Sequence, residues 1–196
     1  MLYKNREKFE SIGRFVGKKM SGVPVTPNQW TLISFLLSIL SAYFIIMGRF
    51  AEASAVFALA ALSDMVDGSV ARYRNSAVPK GAFYDTVVDR YVEFIVIVSL
   101  MASGLPPFFI GANLWITALL FGSIMTTFVR AAAMRELGIE VKGGLVERGE
   151  RMILLFLGIL SASFNVMYLV YFIALLAVLT NVSALQRISA SVKRSG

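Results

Sequence analysis

Cysteine and histidine are both absent from this 196-residue chain, and charged residues make up only 16% of it. Without cysteine there are no disulfides, thiolate ligands or thiol nucleophiles, and without histidine there is no imidazole base or ligand. Any metal must therefore be held by oxygen, which favours Mg²⁺, Mn²⁺ or Ca²⁺ over Zn²⁺, and a general base would have to be a carboxylate. The scarcity of charge, beside 57% hydrophobic residues and a mean hydropathy of +0.72, argues against a soluble domain and for a polytopic membrane protein.

Apolar runs stand at about 28–48, 51–73, 82–103, 108–135, 149–164 and 166–189, each at or near the roughly 20 residues a helix needs to cross a bilayer. The expected fold is all-α and integral to the membrane, with six transmembrane helices. Ahead of them, residues 2–20 set Leu2, Phe9, Ile12, Phe15 and Val16 among six Lys or Arg. That pattern fits an N-terminal amphipathic helix in the headgroup region, since a cleavable signal peptide would carry a continuous apolar stretch. Gly22, Pro24 and Pro27 then break the chain. The break divides a juxtamembrane helix, residues 1–22, from a six-helix membrane domain, residues 23–196.

Cations sort by loop. Lys4, Arg6, Lys8, Arg14, Lys18 and Lys19 precede the first span, Arg72, Arg74 and Lys80 lie between the second and third, and Arg130, Arg135, Lys142, Arg148 and Arg151 flank the link between the fourth and fifth. Arg187, Lys193 and Arg194 close the chain, whereas the three opposite connections hold Arg49 alone. Positive charge accumulates on the cytoplasmic side, so both termini and these loops are expected to face the cytoplasm across the cell membrane. The net charge of +7 then reads as an orientation signal and an attraction for anionic ligands, with no nucleic-acid module beside it.

Four acids interrupt the second and third apolar runs: Asp64 and Asp67, three apart, then Asp85 and Asp89, four apart. Each pair shares a helix face near the cytoplasmic end of its span, and the intervening turn returns the two helices as antiparallel neighbours. Carboxylates at bilayer depth are costly, and four together repel one another, which calls for bound cations. Such a pocket could hold one or two hard cations with help from substrate oxygens. Gly68, Ala71 and Gly81 are small enough for close helix approach or ligand space, and Arg72 offers a fork for phosphate oxygens. Taken singly, any of these residues would also serve as an ion pair or as ordinary helix packing.

Residues 64–89 read DMVDGSVARYRNSAVPKGAFYDTVVD, which fits DxxDGxxAR, eight residues, then GxxxDxxxD at every defined position. This resembles the signature of the CDP-alcohol phosphatidyltransferases, and the six spans with an interfacial helix resemble that family along most of the chain. The resemblance implies transfer of a phosphatidyl-type group from a CDP-linked lipid, CDP-diacylglycerol or CDP-archaeol, to an alcohol, with release of CMP. It implies that Asp64, Asp67 and Asp85 hold Mg²⁺ or Mn²⁺, as one or two ions, and that Asp89 is the catalytic base while also lying close to the metal. Gly68, Ala71, Arg72 and Gly81 fall on positions the family uses around the nucleotide and its diphosphate. TPNQWT at 26–31 resembles the family's entry to the first span, where Asn28 and Thr31 would line the cytidine pocket. Thr26 or Asn28 would serve equally as a helix N-cap, and Ser76 and Lys80 either touch phosphate or belong to a solvated turn.

GLVERGERM at 144–152 resembles the ER-x-ER segment of the branch that includes the phosphatidylinositol-phosphate and archaetidylinositol-phosphate synthases. In that branch the acceptor's phosphate is received by cations that map here to Arg130, Arg151 and Arg187, with Arg148 a further candidate. Several arginine forks suit a phosphomonoester such as inositol phosphate, although the same residues also obey the cytoplasmic charge bias. Where relatives often read K-A-R-A-E, this chain reads Arg130-Ala131-Ala132-Ala133-Met134. The family further implies a homodimer; the apolar faces of the third and fourth spans, with Phe94, Ile95 and Trp115, would either supply its contacts or simply meet lipid. Two alternatives stand beside this reading: the same chemistry with glycerol 3-phosphate or serine as acceptor, and a divalent-cation or proton-coupled transporter using the same acids. A transporter site is expected near the bilayer midplane, commonly among repeated or broken helices.

Overall fold

A computed structural model of the chain describes residues 6–74, 78–141 and 143–195. Ser76, Lys142 and the first five residues of the amphipathic segment lie outside the described residues, as do the side chains of Phe9 and Ile12. Among the described residues there are seven α-helices and no strand: α1 (Arg6–Met20), α2 (Pro27–Ile46), α3 (Phe50–Tyr73), α4 (Pro79–Ala102), α5 (Ala112–Leu137), α6 (Arg148–Ala162) and α7 (Val166–Ser195). Local chemistry sets several of their ends. Thr26 caps α2, its hydroxyl accepting from Gln29 N while Gln29 Oε1 accepts from Thr26 N at 2.8 Å, and Pro27 occupies the first turn. Gly138, at φ 65°, closes α5 in the left-handed conformation that favours glycine.

By length and apolarity α2, α3, α5 and α7 each suffice to cross a membrane. The other two expected spans differ for physical reasons. α4 is long enough, but Lys80, Asp85, Asp89, Arg90 and Glu93 charge its first fifteen residues. α6 has 15 residues, about 22 Å of helix against a hydrocarbon core of about 30 Å.

The core forms where Ile45, Phe57, Val96, Leu100, Ile116, Leu119, Leu155, Ile159 and Ile173 meet, so every helix from α2 to α7 contributes. Lipid tails are as apolar as leucine, so association in a bilayer relies on close packing and interhelical hydrogen bonds. Both are present. Ser34 and Ser41 on α2 donate to the carbonyls of Ala60 and Ala53 on α3, each at 2.9 Å, and Asn181 on α7 donates to Ala118 O on α5 at 2.8 Å. Gly122 and Gly158 lie where a Cβ would collide with Asn181 and Phe172. Large apolar residues such as Leu36, Leu114, Phe121 and Phe128 remain exposed, as a lipid-facing surface requires. Trp115 turns inward, donating to Phe108 O at 2.8 Å and packing on the core.

α1 lies against α3, with Gly17 so near that a Cβ there would stand 2.5 Å from Ser69 O. Arg74 ties the following link down through its guanidinium, which donates to the carbonyls of Ser21 at 2.8 Å, Val23 at 3.1 Å and Val25 at 3.2 Å. That arginine is thus committed to the backbone around the entry to α2.

Candidate active site

Three of the four aspartates converge. One oxygen from each of Asp64, Asp67 and Asp85 lies within 4.8 Å of the others, the first two a turn apart on α3 and the third on α4. α2 packs against both helices, while α3 and α4 approach one another only weakly, so the acids face across a gap instead of a tight antiparallel seam. The gap is a cavity of about 320 Å³. Asn28, Thr31, Gly68, Ala71, Arg72 and Gly81 all line it, together with Asp67 and Asp85.

Individual contacts give these residues physical roles. Thr31 Oγ1 donates to Asp67 Oδ2 at 2.7 Å, fixing one carboxylate of the trio from α2. Because Thr26 makes the cap, Asn28 needs no capping role and its side of α2 is left for the cavity. A Cβ at Gly68 would stand 3.3 Å from Arg72 Nη1, so glycine gives the guanidinium room. Lys80 lies over the ring of Tyr84, 5.9 Å from its centroid.

Asp89 lies outside that trio, on the same helix as Asp85 and one turn deeper, and forms an ion pair with Arg148 at the start of α6. The second candidate arginine of α6 is deeply buried. Arg151 is 2% exposed and its Nε donates to Glu93 Oε1 at 2.5 Å. Glu93 also accepts from Arg90 Nη1 at 3.0 Å, and the same nitrogen reaches Thr127 Oγ1 on α5 at 3.0 Å. Glu93 and Arg90 went unnoticed in the sequence reading. Their signal was present: acids at 89 and 93 repeat every fourth residue, opposite arginines at 148 and 151.

Arg187 on α7 donates to Gly143 O at 2.8 Å and Thr126 O at 2.7 Å, and Ser183 and Gln186 hold the backbone N–H groups of Val146 and Leu145. The α5–α6 link is thereby anchored to α7. Arg130 is half-exposed, 3.7 Å from Glu140, and both Arg130 and Arg151 lie within electrostatic range of Arg187. The four candidate arginines therefore divide: Arg130 and Arg187 gather beside the link, while Arg148 and Arg151 are drawn to the acids of α4.

The family model for CDP-alcohol phosphatidyltransferase matches residues 24–185. The chain belongs to that family. Archaetidylinositol phosphate synthase of Pyrococcus horikoshii is 30% identical over 99% of this chain and 98% of its own length. Phosphatidylinositol phosphate synthase of Corynebacterium glutamicum is 31% identical over 78% of the chain and 71% of its own length. Among solved structures, Mycobacterium tuberculosis phosphatidylinositol phosphate synthase in complex with manganese and citrate superimposes with a TM-score of 0.79 at 25% identity, covering 92% of this chain and 88% of that one. Residues 64–89, which carry the family's signature, supply the acid trio and much of the cavity wall.

Proposed function

We propose that the protein is a phospholipid-biosynthetic enzyme that transfers a phosphatidyl or archaetidyl group from a CDP-linked lipid to the hydroxyl of an inositol phosphate, releasing CMP. The observation that carries this reading is the single cavity in which all six nucleotide candidates meet two acids of the trio. The branch rests on the relatives that share the chain's length and on the arginines clustered near the α5–α6 link.

The acids fit a divalent cation. They offer oxygen only, stand close enough to share an ion, and would otherwise repel one another, which suits Mg²⁺ or Mn²⁺, one ion or two. When bound, such a cation would offset the charge of the diphosphate and of the departing CMP. Asp64, Asp67 and Asp85 would hold it, with Asp89 near enough to share in the site. Thr31 keeps Asp67 oriented, and Asn28, Gly68, Ala71 and Gly81 shape the nucleotide's seat with Arg72 reaching the phosphates. As the acceptor oxygen bonds to the lipid-bearing phosphorus, the bond from that phosphorus to the CMP oxygen breaks. Asp89 takes the hydroxyl proton. Arg130, Arg148, Arg151 and Arg187 would steady the acceptor's own phosphate.

The same reading sets the protein in the bilayer. α4 and α6 complete six spans with α2, α3, α5 and α7, and the juxtamembrane segment of residues 1–22, to which α1 belongs, lies at the interface beside the membrane domain of residues 23–196. The lysines and arginines between spans support an orientation with both termini and the active site on the cytoplasmic side of the cell membrane. The exposed face carrying Phe94 would meet a second copy in a homodimer. CDP-diacylglycerol and CDP-archaeol are both suitable donors. Purified protein with a CDP-lipid and Mn²⁺ is expected to form the phosphorylated inositol lipid, identified by mass, in preference to products from glycerol 3-phosphate or serine. Preference for either of those would reject inositol phosphate, and no product with any acceptor would reject the transferase.

A further inference from the structure

The acids and arginines between α4 and α6 form two rungs: Asp89 with Arg148, and Glu93 with Arg151. α4 packs on α2 and α5, and α6 on α3 and α7, so long side chains rather than close backbone packing make this bridge. Glu93 is 3% exposed and Arg151 2%. An ion pair this deep is seldom retained for stability alone, since desolvation offsets much of its attraction. The Nε atoms of Arg90 and Arg148, the neighbours of this pair, are also enclosed without a hydrogen-bond partner, and two such spare donors suit an anion.

Glu93 binds Arg151 through Nε, which fixes the plane of the guanidinium without consuming its two terminal nitrogens. Those terminal nitrogens make the fork that phosphate oxygens fit best. Arg90, tied in turn to Thr127, grips the other oxygen of Glu93 and holds the carboxylate from behind. We propose that Glu93 is a positioning residue that presents Arg151 as a preset fork to a phosphomonoester entering between α4, α6 and α7. The assignment rests on the acceptor reading above for the identity of the ligand, but its content is the coupling of Glu93 to Arg151.

Inorganic phosphate is the probe, titrated calorimetrically into the detergent-solubilised full chain, alongside steady-state KM values for CDP-lipid and inositol phosphate. Glu93→Gln keeps the shape and removes the charge; it is expected to weaken phosphate binding about tenfold while the CDP-lipid KM stays within about twofold. In an Arg151→Lys background the same change should have no further effect, because the fork it orients is gone. Should Glu93→Gln fail to give a monodisperse protein, Glu93→Asp, with its charge on a shorter stem, should show the same selective loss at smaller size. Additive effects of Glu93→Gln and Arg151→Lys, equal losses for phosphate and CDP-lipid, or no phosphate binding by the unaltered protein would each overturn the proposal. Phosphate binding with the predicted coupling but no transfer to inositol phosphate would instead overturn the acceptor reading and leave Glu93 in its role.

Discussion

Asp89 pairs with Arg148 and Thr31 with Asp67, so the two should fail differently. Asp89→Asn would remove the proposed proton acceptor with little change in shape, so turnover should fall by at least about a hundredfold, with CDP-lipid binding within about threefold of the unaltered protein. Equilibrium binding beside single-turnover CMP release checks this, and loss of binding alone would point away from a base. Thr31→Val strips the 2.7 Å hydrogen bond from Asp67 and leaves the side chain's volume. Losses of outer hydrogen bonds to ligating carboxylates run to about tenfold or more in metal affinity, so half-maximal activity should need about ten times more Mn²⁺. An unchanged metal requirement would separate Asp67 from the cation. The convergence of the acids beside a cavity was legible in the sequence, because DxxDGxxAR and GxxxDxxxD lie on two helix faces whose periodicity converts spacing into position. The arginines were poorly legible. Nothing in the spacing of Arg151 tells that its Nε is spent on Glu93, a contact across 58 positions of chain.

The helices themselves were largely legible, since six apolar runs reappear as α2 to α7 with ends shifted by a few residues. What composition alone did not separate was a helix that is apolar enough to cross a membrane from one that is charged, like α4, or short, like α6. Those two carry Asp85, Asp89, Glu93, Arg148 and Arg151, so the same residues that make the site dilute the spanning signal. Gly122, by contrast, marks a seam rather than a site. It lets α5 approach α7, where a side chain would strike Thr180 and Asn181. Gly122→Val should cost about 1–3 kcal/mol through overpacking and lower the thermal midpoint of the purified protein by several degrees. A midpoint equal to that of the unaltered protein would show that the two helices can separate without loss.

Because the chain has no cysteine, its orientation can be read with single introduced thiols and no background. Glu140→Cys, in the basic link, and Phe164→Cys, in the uncharged turn between α6 and α7, should label from opposite faces with a membrane-impermeant maleimide: the first in inverted vesicles, the second in right-side-out ones. Labelling of both from one face would break the cytoplasmic assignment and the six-span count with it. In the proposed reaction, phosphate chemistry takes place at one end of the bundle, where three acids would hold a cation beside the cavity proposed for the nucleotide. CMP release from a CDP-lipid by the purified chain with inositol phosphate, followed after chelation and again after Mn²⁺ is restored, tests that arrangement most directly. Release should stop on chelation, return with the metal, and be lost in Asp64→Asn and Asp85→Asn; release that persists without divalent metal, or survives loss of either acid, would contradict it.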